Sequence, residues 1–292
     1  MKTIDELFID QDVYLSDGAT GTNLQQRGLP IGIPAERWVL ENTYEIKRLH
    51  EDFIEAGSDI ILTCTFGGSS IRLSHNCLEK NAREINLKAA EIAQQARGNK
   101  NILIAGSIGP LGQMLKPYGA LETSDAYDNY ANQALFLFEG GVDFLLIETQ
   151  FDIEEAKIAV QAANSVTKLP IICSFSYDRG TKTMMGASPK TMAETFKNTN
   201  LVALGINCGK SLEDNYEALV ELRDSTSVPI WFKPNAGLPE MNSDGVPSYS
   251  LTPIAMGASA KSWVDAGAKF IGGCCGTSPE HIRAIANAIK NK

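Results

Sequence analysis

Three cysteines occupy positions from which their thiols could act together on one ligand. Cys274 and Cys275 are adjacent in the glycine-rich segment 271–277 (IGGCCGT), which follows a strand-like apolar run. Cys208 ends another apolar run, 204–208 (LGINC). Thiolates are the preferred ligands of soft metal ions, and three protein ligands with an open fourth position are typical of catalytic zinc. The pattern therefore predicts a Zn²⁺ site formed by Cys208, Cys274 and Cys275.

Other interpretations of these segments stay open at the level of sequence. A cysteine at the end of a strand often does no more than pack in the core. The glycines of 272–276 could instead bind phosphate through backbone amides, as barrels do after their last strands. Phosphate binding explains the glycines but leaves the paired cysteines without a purpose. Cys64 could substitute for one ligand, whereas Cys173 lies within an apolar run that is typical of a buried strand.

Composition restricts the class of protein that could carry such a site. The chain has 292 residues, of which 43% are hydrophobic, and a net charge of −9. This acidic balance argues against nucleic acid or an anionic membrane surface as a partner. No run approaches the roughly 18 apolar residues of a membrane span, and the N-terminus lacks the apolar core of a signal peptide. We therefore expect a cytoplasmic protein with free or metal-bound thiols rather than disulfides.

Eight apolar, strand-like runs alternate with segments of helical spacing along the chain. The runs begin near residues 13, 59, 102, 143, 169, 201, 229 and 269. Because they are continuously apolar, both faces of each strand are expected to be buried, as in a parallel sheet. Eight such units predict a single α/β domain, a (β/α)8 TIM barrel spanning residues 1–292. An open doubly wound sheet is the alternative, but the fingerprint G-x-G-x-x-G is absent after the first strand.

In a (β/α)8 barrel the chemistry lies at the carboxyl ends of the strands, so the polar strand-end residues are expected to meet there. An acid at the end of an apolar strand needs a cationic partner. Asp17 and Glu148 are therefore expected to bind the ammonium group of a ligand, or else to pair with a lysine or arginine or cap a helix. The strand-end set comprises Asp17, Thr63, Ser107, Glu148, Ser174 or Ser176, Asn207 with Cys208, Asn235, and Cys274 with Cys275.

Two further features bear on this face of the barrel. The connection 238–252 is rich in glycine, proline and serine and is long for a barrel, which favours a loop that covers the site. His50, His75 and His281 are expected to lie at the periphery, because no Ser-His-Asp or Cys-His arrangement accompanies them.

Four motifs, in this order, resemble those of the homocysteine S-methyltransferase family. They are 17–22 (DGATGT), 205–208 (GINC), 234–237 (PNAG) and 272–277 (GGCCGT). The similarity extends over essentially the whole chain and is greatest to the homocysteine-binding module of cobalamin-dependent methionine synthase. The resemblance implies a zinc barrel that transfers a methyl group to homocysteine, whose sulfur is the fourth zinc ligand, to give methionine. We expect residues 1–292 to form this one domain, with no separate folate or corrinoid domain.

The resemblance also implies which residues hold the acceptor. Asp17 and Glu148 match the acids that bind the amino group of homocysteine. The backbone around Gly18 and Ala19 matches the part that receives the carboxylate. Asn207 belongs to the same substrate-binding set.

The methyl donor is not specified by these motifs. Members of the family take the methyl group from a corrinoid protein, S-methylmethionine or glycine betaine. The betaine branch has tyrosines at two positions that are Gly67 and Thr149 here, so an aromatic cage is not evident, although Trp38, Tyr118 and Phe151 could contribute. We therefore expect a methylated corrinoid on a separate protein. The alternative from another class is a non-catalytic subunit that holds a thiol through zinc or a redox-active disulfide.

Overall fold

The computed structural model describes residue 8, residues 11–241 and residues 247–290. Eight parallel strands form one sheet in the order β1-β10-β7-β6-β5-β4-β3-β2. A parallel bridge between Ser16 and Ile60 joins β1 to β2 and brings the ends of the sheet together. The predicted (β/α)8 barrel is thus confirmed. Its strands are β1 (Tyr14–Leu15), β2 (Ile60–Leu62), β3 (Leu103–Ile108), β4 (Phe144–Gln150), β5 (Ile171–Phe175), β6 (Leu201–Cys208), β7 (Ile230–Pro234) and β10 (Ala268–Ile271).

Helices connect the strands around the outside of the barrel. Asp152 and Ser188 cap two of them at the N-terminus through side-chain hydrogen bonds. Ser124 is of a residue type that favours a cap, but it lies inside another helix, and Glu122 occupies the cap position there. The helices are α1 (Thr20–Gln26), α2 (Ala35–Glu41), α3 (Thr43–Glu55), α4 (Ser70–Ser74), α5 (Ala82–Arg97), α6 (Thr123–Glu139), α7 (Ile153–Val166), α8 (Pro189–Phe196), α9 (Leu212–Ser225), α10 (Pro253–Asp265) and α11 (Pro279–Lys290).

None of the helices in the described ranges combines the length and the apolar character that crossing a membrane requires.

Aromatic side chains fill the amino-terminal end of the barrel. The ring of Phe8 lies 4.9 Å from that of Phe270 and 5.5 Å from those of Tyr14 and Phe144. Trp231 packs against Phe270 at 5.7 Å. Tyr14, Phe144 and Trp231 come from the first or second positions of their strands, so this apolar plug leaves the carboxyl ends of the strands free for polar residues.

The long connection 238–252 forms a hairpin rather than an irregular loop. Its strands are β8 (Pro239–Met241) and β9 (Pro247–Tyr249), which pair antiparallel. Residues 242–246 of this segment lie outside the described residues. The hairpin follows β7, on the face of the barrel where the cysteines lie.

Candidate active site

The three predicted cysteines converge at the carboxyl end of the barrel. Cys208 is the last residue of β6, and Cys274 and Cys275 follow β10. The Sγ atom of Cys208 lies 3.4 Å from that of Cys274 and 3.6 Å from that of Cys275. Sulfurs bound to one tetrahedral zinc ion at 2.3 Å would be about 3.8 Å apart. The three thiols therefore fit one zinc ion with little rearrangement.

The other cysteines do not join this cluster. Histidine, cysteine, aspartate and glutamate side chains can all hold a metal ion when at least three lie close together. Among the described residues, the group that meets this condition consists of Cys208, Cys274 and Cys275. Cys64, the candidate substitute ligand, is buried and lines the same cavity outside the cluster, and burial raises the pKa of its thiol well above the usual range. Cys173 is likewise buried within β5.

The backbone around the cysteines is held by hydrogen bonds between the strand-end loops. Cys208 has a φ of 61°, a left-handed conformation, and the side chain of Asn215 donates to its carbonyl. The amide of Cys275 donates to Asn235 Oδ1 at 3.0 Å, and Asn235 Nδ2 donates to Gly209 O at 2.9 Å. Asn235 thus links the loop after β10 to the loop after β6.

The same contacts bear on the phosphate interpretation of the glycine-rich segment. All six amides of residues 272–277 donate within the protein, to carbonyl or side-chain oxygens at 2.8–3.3 Å. No amide of this segment is left to bind a phosphate. The glycines serve close packing instead, since a Cβ on Gly273 would lie 2.4 Å from Thr277 Oγ1.

Asn207 connects the cysteine cluster to β4. Its Nδ2 donates to Thr149 Oγ1 at 2.7 Å and lies 3.7 Å from Cys274 Sγ. Its Oδ1 accepts from the amide of Thr149 at 2.9 Å and from Ser174 Oγ at 2.5 Å. In this structure the amide group of Asn207 is engaged with protein groups, and its position supports Cys274.

Asp17 has a lysine partner, the alternative that the sequence left open. Its Oδ1 accepts from Lys233 Nζ at 2.8 Å, and the two side chains are 1% and 2% exposed. Its Oδ2 accepts from the amide of Leu62 at 2.7 Å. Lys233 was not among the predicted site residues. The signal that could have found it is a lysine inside an apolar strand, because a buried lysine requires a carboxylate partner.

Glu148 is the second buried acid of the site. Its Oε1 accepts from Ser107 Oγ at 2.5 Å. Burial raises the pKa of Glu148 to about 7, against the opposing charge of Lys233. Burial lowers the pKa of Lys233, but the charges of Asp17 and Glu148 more than offset it, so that the pKa is raised and Lys233 stays charged. Near pH 7 Glu148 is therefore poised between its two protonation states.

The cysteines and acids surround one cavity of about 850 Å³. Gly18 and Ala19 line it, and the amide of Ala19 is already engaged with Thr277 O at 3.1 Å. His75 also lines the cavity, at an exposed position. Asp17 and Asn207 are not part of the lining; they contact Lys233 and Cys274, which are. The wall includes Cys208, Cys274, Cys275, Glu148, Lys233, Thr63, Ser107, Gly67, Thr149, Phe66 and Tyr249.

The hairpin contributes Tyr249 to this cavity. The ring of Tyr249 lies directly against Gly276, where a Cβ would come within 2.1 Å of a ring carbon. Burial and the three cysteines raise the pKa of the Tyr249 hydroxyl. The segment 238–252 thus reaches the site, as the sequence predicted, through Tyr249.

The comparison with known families is consistent with this geometry. The model of the homocysteine S-methyltransferase family matches residues 14–289, and the chain belongs to that family.

The chain is also similar in sequence to two methionine synthases. The chain is 28% identical over 300 residues to the methionine synthase of Mycobacterium tuberculosis, covering 97% of this chain and 25% of that protein. It is 27% identical over 296 residues to the methionine synthase of Mycobacterium leprae, covering 96% of this chain and 24% of that protein. The chain thus spans about a quarter of the length of these relatives.

A solved structure shows the same fold. The metallated form of the homocysteine methyltransferase MmuM from Escherichia coli matches with a TM-score of 0.82 and 24% identity, over 97% of this chain and 99% of that chain. Its apo form matches with a TM-score of 0.77.

Proposed function

We propose that this protein transfers a methyl group to the thiolate of homocysteine to give methionine, at a zinc ion held by Cys208, Cys274 and Cys275. The observation that carries the proposal is the meeting of these three sulfurs, all within 4.8 Å of one another, at a cavity of a homocysteine S-methyltransferase barrel. When bound, zinc supplies the charge that keeps an acceptor thiol deprotonated at neutral pH, where a free thiol is mostly protonated.

The protein groups around the cavity would orient the acceptor. Glu148 lies in the wall and offers a carboxylate to the ammonium group of homocysteine, with Asp17 behind it. Gly18 and Ala19 lie at the start of α1, where the positive end of the helix favours the carboxylate of the acceptor. Asn207 holds Cys274 in place. For Glu148, Gly18 and Ala19 these are the roles that the family resemblance implies.

For the methyl donor we propose a methylated corrinoid bound to a separate protein, which would meet this barrel in the cytoplasm. Gly67 and Thr149 line the cavity at the positions where a cage for a quaternary ammonium would need tyrosines. The aromatic residues of its wall, in the described part of the chain, are Phe66 and Tyr249. Trp38, Tyr118 and Phe151 do not belong to that wall.

The test is methionine formation from homocysteine by the purified protein, with its zinc content measured first. Methylcobalamin, S-methylmethionine, betaine and methyl-folate are offered in separate reactions. We expect one zinc per chain and turnover with methylcobalamin. Turnover with another donor alone would overturn the corrinoid proposal while leaving homocysteine methylation in place.

A non-catalytic role predicts a different outcome. In that case zinc and homocysteine bind but no donor gives methionine, including a methylated corrinoid protein. Thiol titration distinguishes cysteines that bind zinc from cysteines that form a disulfide. Thiols that become reactive only after chelation indicate bound zinc, whereas thiols that appear only after reduction indicate a disulfide.

A further inference from the structure

The strand β4 is irregular at the residue that follows Glu148. Its register against β5 shifts between Ile147 and Gln150. Two residues of β4, Glu148 and Thr149, therefore lie opposite one residue of β5, which is the arrangement of a β-bulge. Bulges are rare between parallel strands and often lie next to active sites. Both side chains line the cavity, although neighbouring residues of a regular strand point to opposite faces.

The backbone of Thr149 is held in an unfavourable conformation. Its φ is 59°, in the left-handed region that β-branched residues rarely adopt. A conformation of this kind persists only where the surrounding structure enforces it, and such conformations cluster at functional sites. The bulge of β4 therefore needs contacts that hold Thr149 in place.

The side chain of Asn207, on β6, supplies these contacts. Its Oδ1 accepts from the amide of Thr149 at 2.9 Å, and its Nδ2 donates to Thr149 Oγ1 at 2.7 Å. That amide belongs to the peptide group that joins Glu148 to Thr149, so Asn207 fixes the backbone directly after Glu148. Asn207 is fully buried, and Ser174 Oγ of the intervening β5 donates to its Oδ1 at 2.5 Å. The two hydrogen bonds to Thr149 thus form a clamp that is itself held rigidly.

We propose that Asn207 is a positioning residue for the acceptor. Through Thr149 it holds the bulge of β4 in the shape that presents the carboxylate of Glu148 to an ammonium group in the cavity. Ser107 fixes the same carboxylate through its Oε1, so the side chain is held from β3 and the backbone from β6. This inference rests on the proposed binding of homocysteine and names a residue that acts on its ammonium group through another residue.

The test compares two thiols that differ only in the ammonium group, homocysteine and 4-mercaptobutanoate. Their dissociation constants are measured by calorimetry on the zinc-loaded protein, and the ratio of the two constants isolates the ammonium contact. We expect the unsubstituted protein to bind homocysteine at least about tenfold more tightly, because a contact between charged groups is lost with the ammonium group. In Asn207→Ala this preference should fall by at least about fivefold, with the affinity for 4-mercaptobutanoate nearly unchanged.

Two substitutions of Thr149 examine the clamp from its other side. Thr149→Ala removes the hydroxyl that Asn207 binds and should lower the preference for homocysteine, and it answers the question alone if Asn207→Ala does not fold. Thr149→Ser keeps the hydroxyl and is the matched control, which should keep the preference of the unsubstituted protein. In a Glu148→Gln background, Asn207→Ala should no longer change the ratio, because its effect passes through Glu148.

The outcomes separate this inference from the proposed function. An unchanged ratio in Asn207→Ala and Thr149→Ala, or an equal loss of affinity for both thiols, overturns the positioning role even if methionine is formed. An undiminished effect of Asn207→Ala in the Glu148→Gln background overturns it as well. Binding in the expected ratios without methyl transfer from any donor overturns the proposed function and leaves the role of Asn207 standing. If neither thiol binds, both are overturned.

Discussion

Each cysteine of the cluster is fixed by a different backbone contact. Cys208 adopts a left-handed conformation, the amide of Cys275 donates to Asn235, and the carbonyl of Cys274 accepts from Thr277 Oγ1 at 2.6 Å. Hydrogen bonds from its two neighbours lower the pKa of Cys275 well below the usual range. Ligands that are already positioned lose little freedom when a metal binds. The proposed zinc ion would therefore bind without refolding of these loops.

The first prediction at this scale concerns the metal. Cys275→Ala should lose most of its zinc. Removing a group that only supports a ligand lowers metal affinity about 10- to 100-fold, and removing a ligand itself should lower the affinity by more. The fold should persist, since Cys275 lies at the cavity rather than in the core. Metal analysis and circular dichroism measure both. Cys77→Ser is the matched control, because Cys77 is exposed, and it should keep its zinc. Unchanged zinc in Cys275→Ala would contradict the ligand assignment.

The second prediction concerns the buried carboxyl group of Glu148. The pKa of Glu148 is raised from 4.5 to about 7, so the folded protein binds a proton there that the unfolded chain has released. Its contribution to stability is thus full below pH 4.5 and is lost as the pH rises to about 7. Relative to Glu148→Gln, the metal-free, reduced protein should lose about 3 kcal/mol of unfolding free energy between pH 4.5 and 8.

Denaturant unfolding at several pH values tests this difference. Glu217→Gln is the control, because Glu217 is exposed on α9, and it should follow the unsubstituted protein at every pH. Parallel pH profiles for Glu148→Gln and the unsubstituted protein would show that Glu148 does not titrate in this range.

Individual site residues were predictable from the sequence to different degrees. The meeting of the three cysteines could be predicted because strand ends converge in a barrel, although Cys208 and Cys274 are 66 positions apart in the chain. The partner of Asp17 could not, because pairing with Lys233 depends on a contact 216 positions away in the chain. The predicted site residues lie at strand ends, whereas Lys233 lies within β7 and points into the barrel.

At the scale of elements, the hairpin β8–β9 meets the cysteine loop through Tyr249, whose ring packs on Gly276. Gly276 has a φ of 78°, and any Cβ there would overlap the tyrosine ring. Gly276→Ala should therefore destabilise the protein by more than the about 1 kcal/mol that a left-handed alanine costs. Part of this loss should disappear in Gly276→Ala/Tyr249→Ala, because the overlap is then removed.

Unfolding free energies of the two single variants and the double variant measure this coupling. Gly186→Ala is the matched control, since Gly186 has a φ of 88° and open space around it. It should show the backbone cost alone, with or without Tyr249. Additive effects of the substitutions at Gly276 and Tyr249 would mean that the hairpin does not rest on the cysteine loop.

Strands and helices were predictable where one local sequence pattern specified them. The eight barrel strands follow from continuous apolar runs, and α8 follows from Ser188 as cap with Pro189 in the first turn. The hairpin did not follow, because its strands are only three residues each and contain prolines, which are unfavourable in strands. The start of α6 carries a misleading signal, because Ser124 is a typical cap residue while the actual cap, Glu122, lies two positions earlier and makes no side-chain hydrogen bond.

At the scale of the whole molecule, the barrel closes where β1 meets β2, and two aspartates complete this seam. β1 has only two residues. Asp59 accepts from the amide of Leu15 at 2.8 Å near the amino end, and Asp17 accepts from the amide of Leu62 at 2.7 Å near the carboxyl end. Asp17 thus serves both the seam and, through Lys233, the cavity, whereas Asp59 serves the seam alone.

This division of roles predicts different results for two otherwise similar substitutions. Asp59→Ala should lower the unfolding free energy by about 1–4 kcal/mol, because it leaves the Leu15 amide unpaired and removes the ion pair with Lys290. Its zinc content and thiol affinity should not change. Asp17→Ala should lose comparable stability and also alter thiol affinity, since Lys233 is then left without its partner.

Denaturant unfolding and calorimetric titration with homocysteine check the two variants in parallel. Lys290→Met isolates the exposed ion pair and should cost no more than about 1 kcal/mol. If Asp59→Ala weakened thiol binding as much as Asp17→Ala, the seam as a whole would shape the site, and Asp17 would have no special place in it. If neither variant lost stability, the short β1 would have to be held by its neighbour β10 alone, with which it pairs through Tyr14 and Leu15.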